Sequence, residues 1–293
     1  MEAAGKIRRK IGENKMAKII TVALVVIMLV VGFAVGIMAS PFILPQNTSG
    51  EDTVWNHIQE TKTIEVGTDP TWPPYQMIEN GNIVGFEIDL ADACADKLGL
   101  TIHWNNVGFD NILTSVENGQ LDMGVSGFSI TPDRLKEVDF TIPHSTTEGQ
   151  VVMLQSVMDA KGITTLHSLA DFKTYGITVG VQSGNVEQIE LQNAGVDIRT
   201  WSDSASSFED MVSGNPSVQA VYAETPITTN WINDFAAQGI QVGAAYTRPY
   251  YPVAFLVSKN SQMLLQNINS ALADLIYDGT VDDLKVQWQI PTT

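Results

Sequence analysis

Three short stretches hold the residue types that can grip a carboxylate, an apolar side chain and an ammonium group. In Ser126-Gly127-Phe128-Ser129-Ile130-Thr131-Pro132-Asp133-Arg134, Thr131 suits a helix N-cap and Pro132 the first helical position. Free N–H groups at such a helix start, with the Arg134 fork beside them, make a place for a carboxylate. A capped surface helix whose arginine pairs with Asp133, Glu137 or solvent fits the same residues. In DPTWPPY, Asp69 to Tyr75, Trp72 offers a flat apolar wall, and Phe109 in VGFD can offer a second. Loop aromatics also serve simply to pack one lobe on another. Glu224, in Ala223-Glu224-Thr225-Pro226, follows the apolar run QAVY, where a carboxylate can take an ammonium group or serve the positive end of the next helix.

Other chemistries leave no pattern. His57, His103, His144 and His167 lie without ligand spacing, and GxSxG, HExxH and Walker loops are absent. The single cysteine, Cys94, rules out an internal disulfide and a cysteine-cluster metal site. With 16 Lys and Arg against 33 Asp and Glu, the net charge of -17 repels phosphate backbones, so nucleic acid is not an expected partner. No catalytic residue, metal or cofactor is expected.

The elements that must position these residues alternate. A strand TIEVGT precedes the aromatic loop, Asn80-Gly81 marks a hairpin, and Ile88, Ala91, Cys94, Ala95 and Leu98 repeat at helical spacing before Gly99. Strand TIHW, a helix near Ile112 to Glu117, strand LDMGV and a helix over Pro132 to Val138 continue a βαβα series that implies a mostly parallel sheet. A second set follows, with VVMLQ, ITVGV and QAVY as strands and helices at Val186 to Asn193, Phe208 to Val212 and Pro226 to Ala237. A strand at Ala254 to Val257 and helices at Met263 to Tyr277 and Val281 to Trp288 end the pattern. Two α/β lobes with a crevice at their strand ends are the simplest architecture.

The N-terminal residues differ in kind. Lys6, Arg8, Arg9, Lys10, Lys15 and Lys18 precede an uncharged run, Ile19 to Met38, long enough to span a bilayer at about 1.5 Å per residue. Basic residues before it and acidic sequence after it place the short N-terminus inside and the large domain outside. The expected organisation is a basic cytoplasmic N-terminus (1–18), a membrane anchor or signal segment (19–40) and a linker (41–60). Residues 61–146 with 252–293 then form lobe one, and residues 147–251 lobe two. The protein is expected at the outer face of the cell membrane, or in the periplasm if the segment is cleaved.

GTDPTWPPY, GFEIDLADACADKLG and the stretch from Val107 to Phe140 resemble the family of extracytoplasmic solute-binding proteins that deliver amino acids to ABC importers. GFEIDL is the most diagnostic run, and the likeness continues through ITVGVQSGN, QAVYAETP, YYPVAFLV and DGTVDDLKVQW. It implies a type II periplasmic-binding-protein-like α/β fold whose lobes hinge near His144 to Gln150 and Thr247 to Pro252. By the same resemblance, Arg134 holds the ligand α-carboxylate with Ser126, Ser129 and the backbone of Gly127 beside it. Trp72 and Phe109 flank the ligand side chain, and Asp69 stands near the site. Gln182 contacts the side chain, Asn185 and Val186 supply backbone N–H groups to the carboxylate, and Glu224 takes the α-ammonium.

Two positions depart from the usual pattern at the ligand: the second-lobe loop reads SGNV and lacks a threonine hydroxyl, and Glu224 is one methylene longer than the usual aspartate. The implied partners are a free amino acid, an ABC permease and the membrane. No Lys or Arg beyond Arg134 stands at the matched positions to favour an acidic side chain, and no spare acid except Asp69 to favour a basic one, so a polar-neutral or medium apolar side chain is expected. Two alternatives share the resemblance: a cyclohexadienyl (prephenate or arogenate) dehydratase-like enzyme and a ligand-sensing receptor component.

Overall fold

The computed structural model describes residues 52–237, 242–248 and 250–290. The basic N-terminus, the expected membrane segment over 19–40 and residues 41–51 of the expected linker lie outside them. Among the described residues no helix is long and apolar enough to cross a membrane. Beyond Asp52 the expected linker is instead helix α1 (Thr53–Thr61). Its polar, turn-rich composition stops at Asp52, after which Val54, Trp55 and Ile58 recur at helical spacing and pack on the core. Asp52 accepts from Trp55 N through Oδ1 at 2.9 Å and from Met263 N through Oδ2 at 2.8 Å.

The chain continues through β1 (Thr63–Thr68), β2 (Thr71–Trp72), β3 (Gln76–Glu79), β4 (Asn82–Val84), α2 (Phe86–Lys97), β5 (Thr101–Asn106) and α3 (Phe109–Glu117). Asn80 and Gly81 close the β3–β4 hairpin with φ of 51° and 83°, the left-handed pair that an Asn-Gly turn supplies at low cost. Next come β6 (Met123–Gly124), α4 (Arg134–Glu137) and β7 (Val138–Phe140). The helix expected over Pro132 to Val138 is therefore one short turn. Val138, Asp139 and Phe140 pair with Ser258, Val257 and Leu256, so the sheet takes the residues a longer helix would need.

The first crossing passes through β8 (Ser145–Thr147) into β9 (Gly149–Leu154), α5 (Gln155–Lys161), α6 (Ala170–Thr174), β10 (Val179–Gln182) and α7 (Val186–Asn193). Then follow β11 (Ile198–Trp201), α8 (Ser204–Val212), β12 (Ala220–Glu224), α9 (Thr225–Ala237) and β13 (Val242–Thr247). The return crossing, β14 (Tyr251–Val253), pairs antiparallel with β8. β15 (Leu256–Ser258), α10 (Gln262–Tyr277) and α11 (Thr280–Gln287) follow.

The two five-stranded sheets share one plan, β5-β1-β6-β15-β7 and β11-β10-β12-β9-β13. In each, one strand, β15 or β9, runs antiparallel to its neighbours. Ala91, Cys94 and Ala95 of α2 pack with Val66, Phe255 and Leu272 under the first sheet, while Phe172, Val179 and Tyr222 anchor a core in the second. A fully buried Leu or Phe contributes roughly 1.5–3 kcal/mol, so each sheet has its own means of holding rigid the strand ends from which the site is built.

Candidate functional site

Residues at the strand ends of both sheets converge. Asp69 follows β1, and its backbone N donates to Ser126 Oγ, beyond β6, at 3.0 Å. Its carboxylate Oδ2 accepts from Phe109 N, at the start of α3, at 3.2 Å and from Gln182 Nε2, at the end of β10, at 3.1 Å. One carboxylate thus touches both halves of the molecule. Burial raises the Asp69 pKa, opposed by its hydrogen bonds.

Trp72 stacks on Tyr75 with ring centroids 4.2 Å apart and lies flat over Gly127. A Cβ at Gly127 would stand 2.5 Å from Trp72 Cζ3, and Gly127 has φ of +65°, so both the space and the backbone require glycine. The Gly127 N–H, expected beside the ligand, donates instead to Glu87 Oε2 at 2.8 Å. Glu87 is fully buried on α2, and His144 Nε2 lies 3.2 Å from its other oxygen without the alignment of a hydrogen bond. Gln76, with its amide turned to satisfy both ends, donates to Tyr75 O at 3.3 Å and Glu87 Oε2 at 3.1 Å.

Phe109 stacks on Phe128 at 4.7 Å, and the Arg134 guanidinium covers both rings at 5.7 and 5.3 Å. Arg134 Nη1 donates to Ser129 O at 2.9 Å and Nη2 to Gly184 O at 3.1 Å. Arg134 thereby reaches from the first sheet's loops to the second's. Burial lowers its pKa while Glu187 and Glu224 support the charge, and an arginine stays ionised throughout. A free run of helix N–H groups does not accompany it, because α4 has only four residues, although Arg134 N still bonds Thr131 Oγ1 at 3.3 Å.

From the second sheet, Gln182 also donates to Ser202 O at 3.0 Å. Asn185 caps α7, Oδ1 accepting from Gln188 N at 2.9 Å, and Val186 is the first residue of that helix. The buried Asn185 Nδ2 has no hydrogen-bond partner among the described residues. Glu224 ends β12. Burial, with Glu187 acting the same way, pushes its pKa up to about 8, against Arg248 and Arg134.

Asp69, Trp72, Phe109, Ser126, Gly127, Gln182, Asn185 and Glu224 line one small, partly open cavity. Ser129, Arg134 and Val186 stand outside its lining. Thr71 and Gln76 line it too, and neither was a candidate from sequence. Gln76 is the residue after the aromatic loop and the buried start of β3, and only the strand's inward register marks it. Among the described residues no three His, Cys, Asp or Glu side chains gather as a metal site.

The model of the bacterial extracellular solute-binding proteins, family 3, matches residues 64–291. The chain belongs to this family. As a family 3 solute-binding protein it has the two-lobed type II periplasmic-binding-protein α/β fold. It is 28% identical over 230 residues to ABC transporter arginine-binding protein 1 of Escherichia coli K12, covering 77% of this chain and 90% of that one. It is 25% identical over 256 residues to the L-cystine-binding protein TcyJ of the same organism, covering 86% and 93%. Among solved structures, an ancestral arginine-binding protein bound to arginine is 32% identical with a TM-score of 0.68, over 78% of this chain and 98% of that one. An ancestral amino acid-binding protein described as a precursor of cyclohexadienyl dehydratase is 28% identical with a TM-score of 0.68, over 80% and 98%.

Proposed function

We propose that this solute-binding protein takes one free amino acid between its lobes, 61–146 with 252–293 and 147–251, and delivers it to the permease of an ABC importer. The observation that carries this reading is the cavity lined by residues of both sheets, with Glu224 in its wall to take the ligand's ammonium. The buried Arg134, just outside the lining and close enough to Glu224 to act on its charge, is the cation nearest to hand for the carboxylate. Asn185 Nδ2, buried without a partner, is the donor available to the carboxylate from the second lobe and replaces the threonine hydroxyl missing from SGNV. Trp72 and Phe109 exclude water from the side chain as the lobes close about β8 and β14.

With Arg134 and Glu224 assigned to the ligand backbone, Asp69 is the second acid of the cavity, and among the described residues no Lys or Arg lines it. A cationic side chain balances that charge, where the sequence alone favours a neutral one. The arginine-binding relatives agree in kind. Residues 19–40 hold the protein at the outer face of the membrane in this reading. The test is a thermal-shift screen of the full chain in detergent against the twenty amino acids, ornithine and cystine. A ligand at about 100 times its Kd adds roughly 2.7 kcal/mol and moves the melting point by several degrees. Arginine, lysine, ornithine or histidine should give that shift, and silence across the panel would overturn the reading.

One observation favours a second reading. An acid with a pKa of about 8, as at Glu224, carries a proton at neutral pH, which a general acid for elimination requires. The structural likeness to a dehydratase precursor points the same way. Turnover of prephenate or arogenate by the wild-type chain, lost in Glu224→Gln, would establish it.

A further inference from the structure

Behind the second-lobe wall lies a buried ionic cluster that the binding reading leaves unused. Arg248 sits where β13 leaves the second sheet and is 5% exposed. Its backbone N donates to Gly149 O at 2.7 Å, so the outgoing and returning crossings are tied at this residue. Its Nη2 donates to Glu187 Oε1 at 2.6 Å, and Nε lies 3.2 Å from both Tyr222 Oη and Glu190 Oε2. The guanidinium covers the Tyr251 ring at 4.2 Å, and Glu190 accepts from Tyr222 at 2.8 Å and Tyr251 at 3.2 Å.

Glu187 is wholly buried in the first turn of α7, directly after Asn185 and Val186. Gly149 joins this cluster to the cleft. It is the strand partner of Glu224, and a Cβ there would stand 2.7 Å from Tyr222 Cε2 and 2.8 Å from Arg248 Nε. One guanidinium thus spans the hinge, the helix start at the ligand cavity and the strand end that carries the ammonium acceptor.

We propose that Arg248 is a positioning residue for ligand binding: by holding Glu187 and Glu190 it fixes the start of α7 and leaves Glu224 able to stand as the carboxylate that meets the ligand's ammonium. The inference rests on the binding reading above. The charged and titratable groups that act on Glu224 are Glu187 from α7, Arg248 from the crossing, Arg134 from α4 and Tyr75 from the loop after β2, and Asp69, at the end of β1, lines the same cavity. Glu187 opposes ionisation of Glu224, while Arg248 and Arg134 favour it. Removing Arg248 therefore leaves two uncompensated acids behind the wall, and removing the charge of Glu187 relieves it.

The two changes move binding in opposite directions along the pH axis, which a purely structural role does not produce. The full chain is titrated calorimetrically with the twenty amino acids and L-cystine as probes, and the tightest is followed from pH 6 to 9.5 in wild type, Arg248→Met, Arg248→Lys and Glu187→Gln. In Arg248→Met the pH below which binding weakens should rise by about one unit, a roughly tenfold loss at pH 7. In Glu187→Gln it should fall by a similar amount with tighter binding at pH 7, and Arg248→Lys should restore most of the wild-type profile. If Arg248→Met does not fold, a profile in Glu187→Gln that is unmoved or moves upward overturns the proposal. So do variant profiles that coincide with wild type while wild type binds. A wild-type chain that binds no probe overturns the binding reading and this inference with it.

Discussion

The first-sheet wall of the cleft is built around rings, with Trp72 on Tyr75, Phe109 on Phe128 under Arg134, the Gly127 N–H held by Glu87 and Asp69 held by the Phe109 N–H. The second-sheet wall is made of buried charge, with Glu224 near Glu187 and both near Arg248. Stacked rings keep their shape at any pH. A carboxylate whose pKa burial and one neighbouring acid push up to about 8 changes its charge within the neutral range. The same plan of strands thus carries a ring-lined wall and a wall of buried acids, and on the proposed reading the first selects by shape and the second makes affinity depend on pH.

The largest expected effect tests the ring-lined wall. Arg134→Ala removes the guanidinium that covers Phe109 and Phe128 and should weaken amino-acid binding by about 2–5 kcal/mol, nearly independently of pH, as measured by titration calorimetry. Unchanged affinity would remove Arg134 from the site. On the wall of buried acids, Glu224→Gln should weaken binding by about 1.5–3 kcal/mol and flatten its pH dependence.

The same substitution should act in the opposite sense on the ligand-free protein. The folded chain holds a proton at Glu224 up to about pH 8, which the unfolded chain loses near the ordinary carboxylate value of 4.5. The stability from that proton is complete below about pH 4.5 and is lost as pH rises to about 8. Ligand-free Glu224→Gln should therefore melt higher than wild type at pH 8.5. A lower melting point would contradict the burial assigned to this acid.

A smaller effect is read from pH alone. The ammonium favours ionised Glu224, so wild-type affinity should fall by up to about tenfold, roughly 1.4 kcal/mol, for each pH unit below 8, while Arg134 adds no slope. A flat profile between pH 6 and 8 would erase the contrast between the walls. The smallest change is Asn185→Ser. Serine caps α7 as well as asparagine does but lacks the buried amide donor, so stability should hold while affinity drops by about 1 kcal/mol. A parallel loss of melting temperature would show that Nδ2 serves the fold instead.

Local pattern accounts for what could be read in advance. Helical spacing around Cys94, the Asn80-Gly81 turn and the apolar runs that end at Asp69, Gln182 and Glu224 each depend on neighbours within a few residues. The short α4 was not legible in this way, because Val138 joins β15 across more than a hundred residues of chain. Nor was the Arg248 cluster. Glu187 and Glu190, three apart in a helix, look like a solvent face until Tyr222 and Arg248 are brought over them by the sheet. Gln76 and the committed Gly127 N–H depend likewise on Glu87, which in sequence is one acid of an amphipathic helix.

The double role of Asp52, which caps α1 and also receives Met263 N at the head of α10, has a mechanical consequence. Ile58 and Ile290, near the two ends of the described chain, share one core with the first sheet. Along the chain, the second sheet is therefore an insertion entered and left through the crossings at β8 and β14. Tension entering at residue 52 passes into α1, α10 and the first sheet, and its load path does not run through either crossing.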